Sequence, residues 1–232
     1  MTAELRLIGL DGVPEVPPGA DLAGVVDTAL AASNVSLQGG DVVVLAQKIV
    51  SKAEGRLVEL AAVSPSPRAV DLARETGKDP RLVELILRES TGVLRMRTNL
   101  IVVEHRLGIV LANAGIDQSN VGARGECALL LPENPDGTCA QVRTELMKRH
   151  GADVAVMIID SIGRAWRQGT VGYALGLAGM AGLLDLRGQA DRGGRALQSS
   201  ELGLADEVAA AASLVMGQAA EGRPIEIGRA HV

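Results

Sequence analysis

The sequence predicts an α+β fold, and three observations lead there. Strand-like and helix-like segments occur in clusters rather than in strict alternation, which disfavours a doubly wound parallel sheet. The apolar residues are almost all Ala, Val, Leu and Ile, with Trp166 and Tyr173 the only Trp and Tyr and no Phe. Short, strongly apolar runs bounded by Gly, Pro or charged residues read as buried strands. At 232 residues the chain suits one large unit, and residues 1–232 are taken as a single unit that could hold two subdomains.

Glu4–Leu10 reads as the first strand, followed by a Gly/Pro-rich loop over Asp11–Ala20. Asp21–Ser33 has helical apolar spacing with Asp21 as its cap, and Asp41–Gln47 is a buried strand running into a polar, basic stretch. Residues 64–90 are helical, with Asp79-Pro80 as cap and first-turn residue for Arg81–Arg88. Val93–Arg97, Leu100–His105 and Gly108–Ala112 read as three strands, with a tight turn at Arg106-Leu107. A loop, Gly115–Gly125, leads to a strand at Cys127–Leu131, a turn at Pro132–Gly137 and an amphipathic helix at Cys139–His150. Ala152–Ile159 is the expected central strand, then come Gly-rich segments, a helix from about Ser200 to Met216 and a closing strand at Pro224–Gly228. The apolar glycine segment Gly172–Gly182 is expected to pack closely against the backbone of a second subunit in an obligate homodimer, with packing inside one subunit as the alternative.

Composition excludes several function classes. The net charge of −5, with signs interspersed and few rings for stacking, argues against a nucleic-acid partner. Cys127 and Cys139 form no CxxC pair and are expected to be buried or half-buried thiols in a reducing compartment. The N-terminal residues do not read as a signal peptide, and the Ala-rich runs are too short and interrupted to span a membrane, so a cytoplasmic location is expected. There is no GxxxxGK[ST] loop, no GxGxxG after a strand and no HExxH; His105, His150 and His231 are scattered, and His105 reads as structural.

Two places share one design, an apolar strand leading to an aspartate. One is Gly108–Asn120, carrying Asp117, and the other is Val154–Ser161, carrying Asp160. A carboxylate held at a strand's carboxyl end faces the crevice where ligands of open sheets bind. Mg²⁺ or Mn²⁺ takes one or two such carboxylates together with nucleotide phosphates and water, and the Ser161 hydroxyl could serve a second ion. The alternative is that each Asp starts a turn or caps a helix; two such sites, each trailed by further polar groups, favour function. Cations come from Lys48, Lys52 and Arg56 after one strand and from Arg164 and Arg167 after Asp160. Lysine suits phosphate as a point charge, and arginine grips an anion through two parallel bonds. Arg56 alone would pass for solvated surface charge. Trp166 could stack on a ring but is expected to be packed and partly buried.

Several long stretches resemble the coenzyme F420-0:L-glutamate ligases: Val44–Arg56, Ala114–Gly122, Asp160–Arg167, Ala205–Glu207 and Leu214–Pro224, in the family's order from about Leu7 to Gly228. The resemblance implies GTP-dependent addition of L-glutamate to a deazaflavin phosphodiester. It implies a divalent metal, Mg or Mn and two ions, with a stimulating monovalent cation such as K⁺. By the same resemblance Asp117 and Asp160 hold one divalent ion, while Ser161 and Gln218 help to hold a second. Val13, Pro14, Glu15, Val16, Gln47, Lys52, Asn120 and the run Met216, Gly217, Gln218, Ala219, Ala220, Glu221, Gly222 and Arg223 would line the GTP site. The family fold is a mixed arrangement of sheets and flanking helices in an intertwined homodimer, and the fused C-terminal domain of some relatives is not expected here. The segment Asp191–Leu197 lacks the family's usual aromatic residue, and Gln198-Ser199-Ser200 is more polar than usual, so the acceptor pocket departs from the pattern. Activation of the acceptor carboxylate as an acyl phosphate is the implied route, needing positioning and charge neutralisation rather than a covalent nucleophile. The rivals are the same chemistry on another carboxylate and a GTP- and metal-binding sensor without turnover.

Overall fold

The run Val42–Ala46 (β2) and the run beginning at Ala155 (β8, Ala155–Gly163) pair in parallel, from Val42 against Ala155 to Ala46 against Ile159. Val43, Val44, Leu45, Val156, Met157 and Ile158 are all fully buried, as expected of a strand pair covered on both faces. The computed structural model describes residues 4–118 and 126–231. In chain order the other elements are β1 (Glu4–Gly9), α1 (Leu22–Ala32), α2 (Gln47–Ala53), β3 (Leu57–Glu59), α3 (Pro67–Thr76), α4 (Pro80–Arg88), β4 (Ser90–Arg97), β5 (Leu100–His105) and β6 (Val110–Ala112). They continue with β7 (Cys127–Leu129), α5 (Pro135–His150), β9 (Thr170–Ala178), β10 (Leu184–Asp185), β11 (Glu201–Leu202), α6 (Leu204–Met216) and β12 (Ile225–His231).

The main sheet has the order β1-β12-β2-β8-β9, with β2–β8 its parallel pair. Alternation along the strands sends Val43, Leu45, Val156, Ile158, Ile225 and Ile227 to one face, where α1 and α5 cover them with Val26, Ala29, Leu30, Val142 and Leu146. The other face sends Val44, Met157 and Ile159 against Ala205, Ala209, Ala212 and Met216 of α6. A second core joins α3 and α4 to the antiparallel sheet β4-β5-β6, around Ile86, Ile101 and Val103. The α+β class therefore holds, with several sheets and six α-helices among the described residues. None of those helices is long and apolar enough to cross a membrane.

Boundaries differ from expectation in instructive places. The turn expected over Pro132–Gly137 gives way to helix at Pro135, because the Asn134 Oδ1 accepts from the Gly137 N–H at 3.1 Å and Pro135 takes the first helical turn. Asp21 caps α1 by position only; its carboxylate goes to Arg149 at 2.7 Å instead. The helix expected from Ser200 starts at Leu204, since Glu201 and Leu202 pair with β10. The basic stretch after β2 is a helix, α2, that begins at Gln47 with no intervening loop. Cys139 is buried and Cys127 half-buried, both as free thiols.

The glycine segment makes its close approaches within the chain. A Cβ at Gly172 would lie 2.2 Å from the Ala209 carbonyl oxygen of α6, and one at Gly176 would lie 2.4 Å from Pro135 of α5. Glycine at these two positions lets both helices press onto β9. Trp166, expected to be packed, is instead fully exposed. Arg56 is not solvated surface charge: its Nη2 lies 2.7 Å from Glu89 and its Nε donates to the Leu131 carbonyl at 2.9 Å. His105 is buried, with its Nδ1 accepting from the Leu107 N–H at 3.1 Å, which fits its structural reading.

Candidate functional site

At the carboxyl ends of β2 and β8 the sheet opens into a cleft of about 480 Å³. The last β2–β8 pair is Ala46–Ile159, so Asp160 is the first residue of β8 to emerge beyond its parallel neighbour. The strand does not stop at Asp160, as the sequence suggested. Pairing with β9 carries it on through Asp160–Tyr173 and Ser161–Gly172 to Gly163–Thr170, so both polar side chains sit on rigid strand backbone. Asp117 arrives by a different path: after β6 comes a single 3₁₀ turn, Asn113–Gly115, and Asp117 then exchanges backbone bonds with Leu129 of β7 at 3.0 and 2.8 Å.

The cleft gathers Asp117, Asp160, Ser161 and Gln218, the four residues the resemblance assigned to metal. The Ser161 hydroxyl donates to the Gln218 Oε1 at 2.6 Å, joining β8 to the loop after α6. Burial pushes the Asp160 carboxyl up to about 6; the Ser161 N–H at 2.7 Å opposes this, the Asp117 charge adds to it, and Lys48 counters it. Lys48 Nζ lies 2.7 Å from the Asp117 Oδ2. Two mutually repelling, partly desolvated carboxylates beside a hydroxyl and an amide oxygen form a hard-oxygen set that a divalent cation would relieve. No group of three or more His, Cys, Asp or Glu suited to a metal occurs among the described residues, so a ligand's oxygens or water would have to complete any coordination.

Of the nucleotide set, Gln47, Lys52, Met216, Gly217, Gln218, Ala219, Glu221, Gly222 and Arg223 line the same cleft. Gln47 donates to the Ser51 hydroxyl at 2.6 Å and is held one turn away from it on α2. Lys52 ends at Glu15, 2.6 Å away, which brings the N-terminal loop to the rim. The rest of that loop does not reach the cleft: Val16 is buried in the core under α1, Val13 packs against the same core and Pro14 is exposed. Ala220 is exposed without lining the cleft, and Asn120 lies outside the described residues. Arg164 and Arg167 stand on the β8–β9 turn, away from the lining.

Lys48, a cation not among the expected site residues, stands in the cleft beside Asp117. The signal was present: Lys48 and Lys52 are four apart and share one face once α2 is read as a helix. Ser213 and Pro224 also line the cleft; Pro224 closes a stretch that carries the family resemblance, while Ser213 had no signal of its own. Arg223 Nε reaches Asp11 at 2.8 Å, tying the loop after α6 to the N-terminal loop across the rim.

A family profile described as F420-0:Gamma-glutamyl ligase matches residues 12–229. A protein named coenzyme F420:L-glutamate ligase in Methanothermobacter thermautotrophicus is 46% identical over 227 residues, covering 98% of this chain and 89% of the relative. A Methanopyrus kandleri protein of that name is 46% identical over 97% of this chain and 88% of its own length. A third, from Halobacterium salinarum, is 40% identical over 97% and 87% respectively.

Proposed function

Because this chain belongs to the F420-0:gamma-glutamyl ligase family, we propose that it joins L-glutamate to the deazaflavin phosphodiester coenzyme F420-0, consuming GTP. The observation that carries this reading is one cleft, at the end of the parallel strand pair, holding Asp117 and Asp160 together with Lys48 and Lys52. Acids and cations so arranged suit a triphosphate and its counter-ion.

Asp117 and Asp160 would hold a divalent ion, Mg²⁺ or Mn²⁺, with Ser161 and Gln218 serving a second. When bound, such ions supply charge neutralisation along the phosphates. Lys48 and Lys52 add point charges from one face of α2, and the segment Met216–Arg223 walls the nucleotide side. The reaction proposed is transfer of the γ-phosphoryl group to the acceptor carboxylate, giving an acyl phosphate and GDP. The glutamate amine then attacks the acyl carbon and phosphate leaves. The protein's part is to align the carboxylate with the γ-phosphate and to keep water out, work done by position and charge. Rigid attachment of Asp160 and Ser161 to β8, and of Asp117 to β7, supports that positioning. The same site could add further glutamates if the extended product rebinds, and a monovalent cation belongs to the same proposal. GDP and glutamylated acceptor should form only with divalent metal; turnover in excess chelator would contradict the metal assignment.

The assembly proposed is a homodimer. The three-stranded sheet exposes apolar side chains at Leu94 and Met96 on β4 and at Val110 on β6, surface that another copy could cover. Sedimentation at sub-micromolar concentration should give twice the 24.0 kDa chain mass; an active monomer there would refute it.

A further inference from the structure

The turn between β8 and β9 carries features that the cleft chemistry does not use. Trp166 stands there fully exposed, at 102% of its reference area, although indole is among the side chains that gain most from burial. Its φ of 62° is in the left-handed region, where a bulky residue is strained and Gly or Asn would sit without cost. Two residues earlier, the Arg164 Nη1 is buried with no hydrogen-bond partner, and its Nη2 reaches only the Gln168 carbonyl at 3.4 Å. A buried guanidinium donor left without an acceptor is costly, and a bound anion would satisfy it. Arg167 forms no ion pair among the described residues. An unmatched charge and an exposed ring thus share one turn.

Position connects this turn with the reaction. It is the direct continuation of the strand that delivers Asp160 and Ser161 to the cleft, and β9 returns from it at Thr170. Trp166 lies six positions after Asp160, which keeps the two Cα atoms within roughly 22 Å of each other. A carboxylate acceptor that reacts at the phosphates and carries a flat ring at its far end needs a second foothold outside the cleft.

From this juxtaposition we infer that the Arg164–Trp166 turn is the acceptor's ring-end subsite: the indole stacks on a planar heteroaromatic ring, and Arg164 pairs with the acceptor's phosphodiester. The inference rests on the ligase reading and deepens it, by assigning a substrate part to residues that line no cavity. Trp166 thereby sets specificity for an acceptor with a ring rather than taking part in phosphoryl transfer.

As the only Trp of the chain, Trp166 reports on itself by fluorescence. Titrating the 232-residue protein with coenzyme F420-0 without GTP, corrected against free tryptophan, should quench its emission saturably, and Arg164→Gln should weaken that titration. In turnover, Trp166→Ala should raise the acceptor KM by about 10-fold while the GTP KM stays in place, in line with the stacking lost on truncation to alanine. Trp166→Phe should recover most of the loss, and an acceptor fragment lacking the ring should not distinguish Trp166→Ala from the parent. An acceptor KM unchanged in Trp166→Ala overturns the inference. So does emission indifferent to saturating acceptor, or a Trp166→Ala defect that tracks a shift in sedimentation, which would place the indole against a second copy. The titration needs no turnover, so quenching by a deazaflavin the protein cannot glutamylate would sustain the subsite while refuting the ligase reading.

Discussion

Replacing Asp160 with Asn is expected to lower turnover by about 100-fold or more without unfolding the protein. Asn keeps the side chain's shape and an oxygen for the Ser161 N–H, so the β8–β9 pairing has no reason to change. What it removes is the negative charge that, with Asp117, would hold the cation against the triphosphate. Burial already disfavours the charged form of Asp160, so at neutral pH the metal-free variant should melt no lower than the parent. Circular dichroism melting together with Mn²⁺ titration of the two proteins checks both halves. Parent-like Mn²⁺ affinity and turnover in Asp160→Asn would mean that the carboxylate serves only the backbone.

Glu89→Gln is expected to cost stability rather than chemistry, on the order of 3 kcal/mol at pH 7. Glu89 sits where α4 meets β4 and collects Arg56 at 2.7 Å, Arg106 at 3.0 Å and the His105 ring at 3.6 Å. Burial acts to raise its carboxyl, yet the nearby His105 ring and the hydrogen bonds from Arg56 and Arg106 prevail and bring it down from the ordinary 4.5 to about 2. Arg106 also donates to the carbonyls of Pro132 and Glu133, so loss of the charge loosens the junction between the two cores. Because the carboxyl is depressed in the folded protein, its contribution is complete above about pH 4.5 and disappears as the pH falls towards 2. Denaturant unfolding across that range should show the gap between parent and variant closing at the acid end. A gap independent of pH would assign the loss to packing instead.

Much of the fold was legible because local signals agreed with the tertiary outcome. The β2 and central β8 runs are apolar enough to declare themselves, and Asp79-Pro80 marks the start of α4 both in sequence and in structure. Misjudged boundaries lie where a distant partner decides. β8 continues beyond Asp160 because β9 is there to pair with it, and Glu201-Leu202 is strand because β10 is beside it. The glycine segment signalled a close backbone approach correctly but could not say to which backbone. In the cleft, the two aspartates were legible as carboxylates following apolar strands, and most of the Met216–Arg223 segment was expected there only through the family resemblance. The meeting of Lys48 with Asp117 was not, since those residues are far apart in the chain and come together only when α2 and β7 pack. The exposure of Trp166 runs against the ordinary behaviour of its type, and no pattern in the sequence announces it.

Glutamate joined to a deazaflavin acceptor at the expense of GTP leaves its signature in the products. Mass spectrometry reads them from a mixture of purified protein, coenzyme F420-0, L-glutamate, GTP and Mg²⁺ or Mn²⁺. The expected product is an acceptor heavier by one glutamyl residue per amide formed, with one GDP and one phosphate released for each. Amide formed equally well without GTP, or GDP released with the acceptor unchanged, would contradict it.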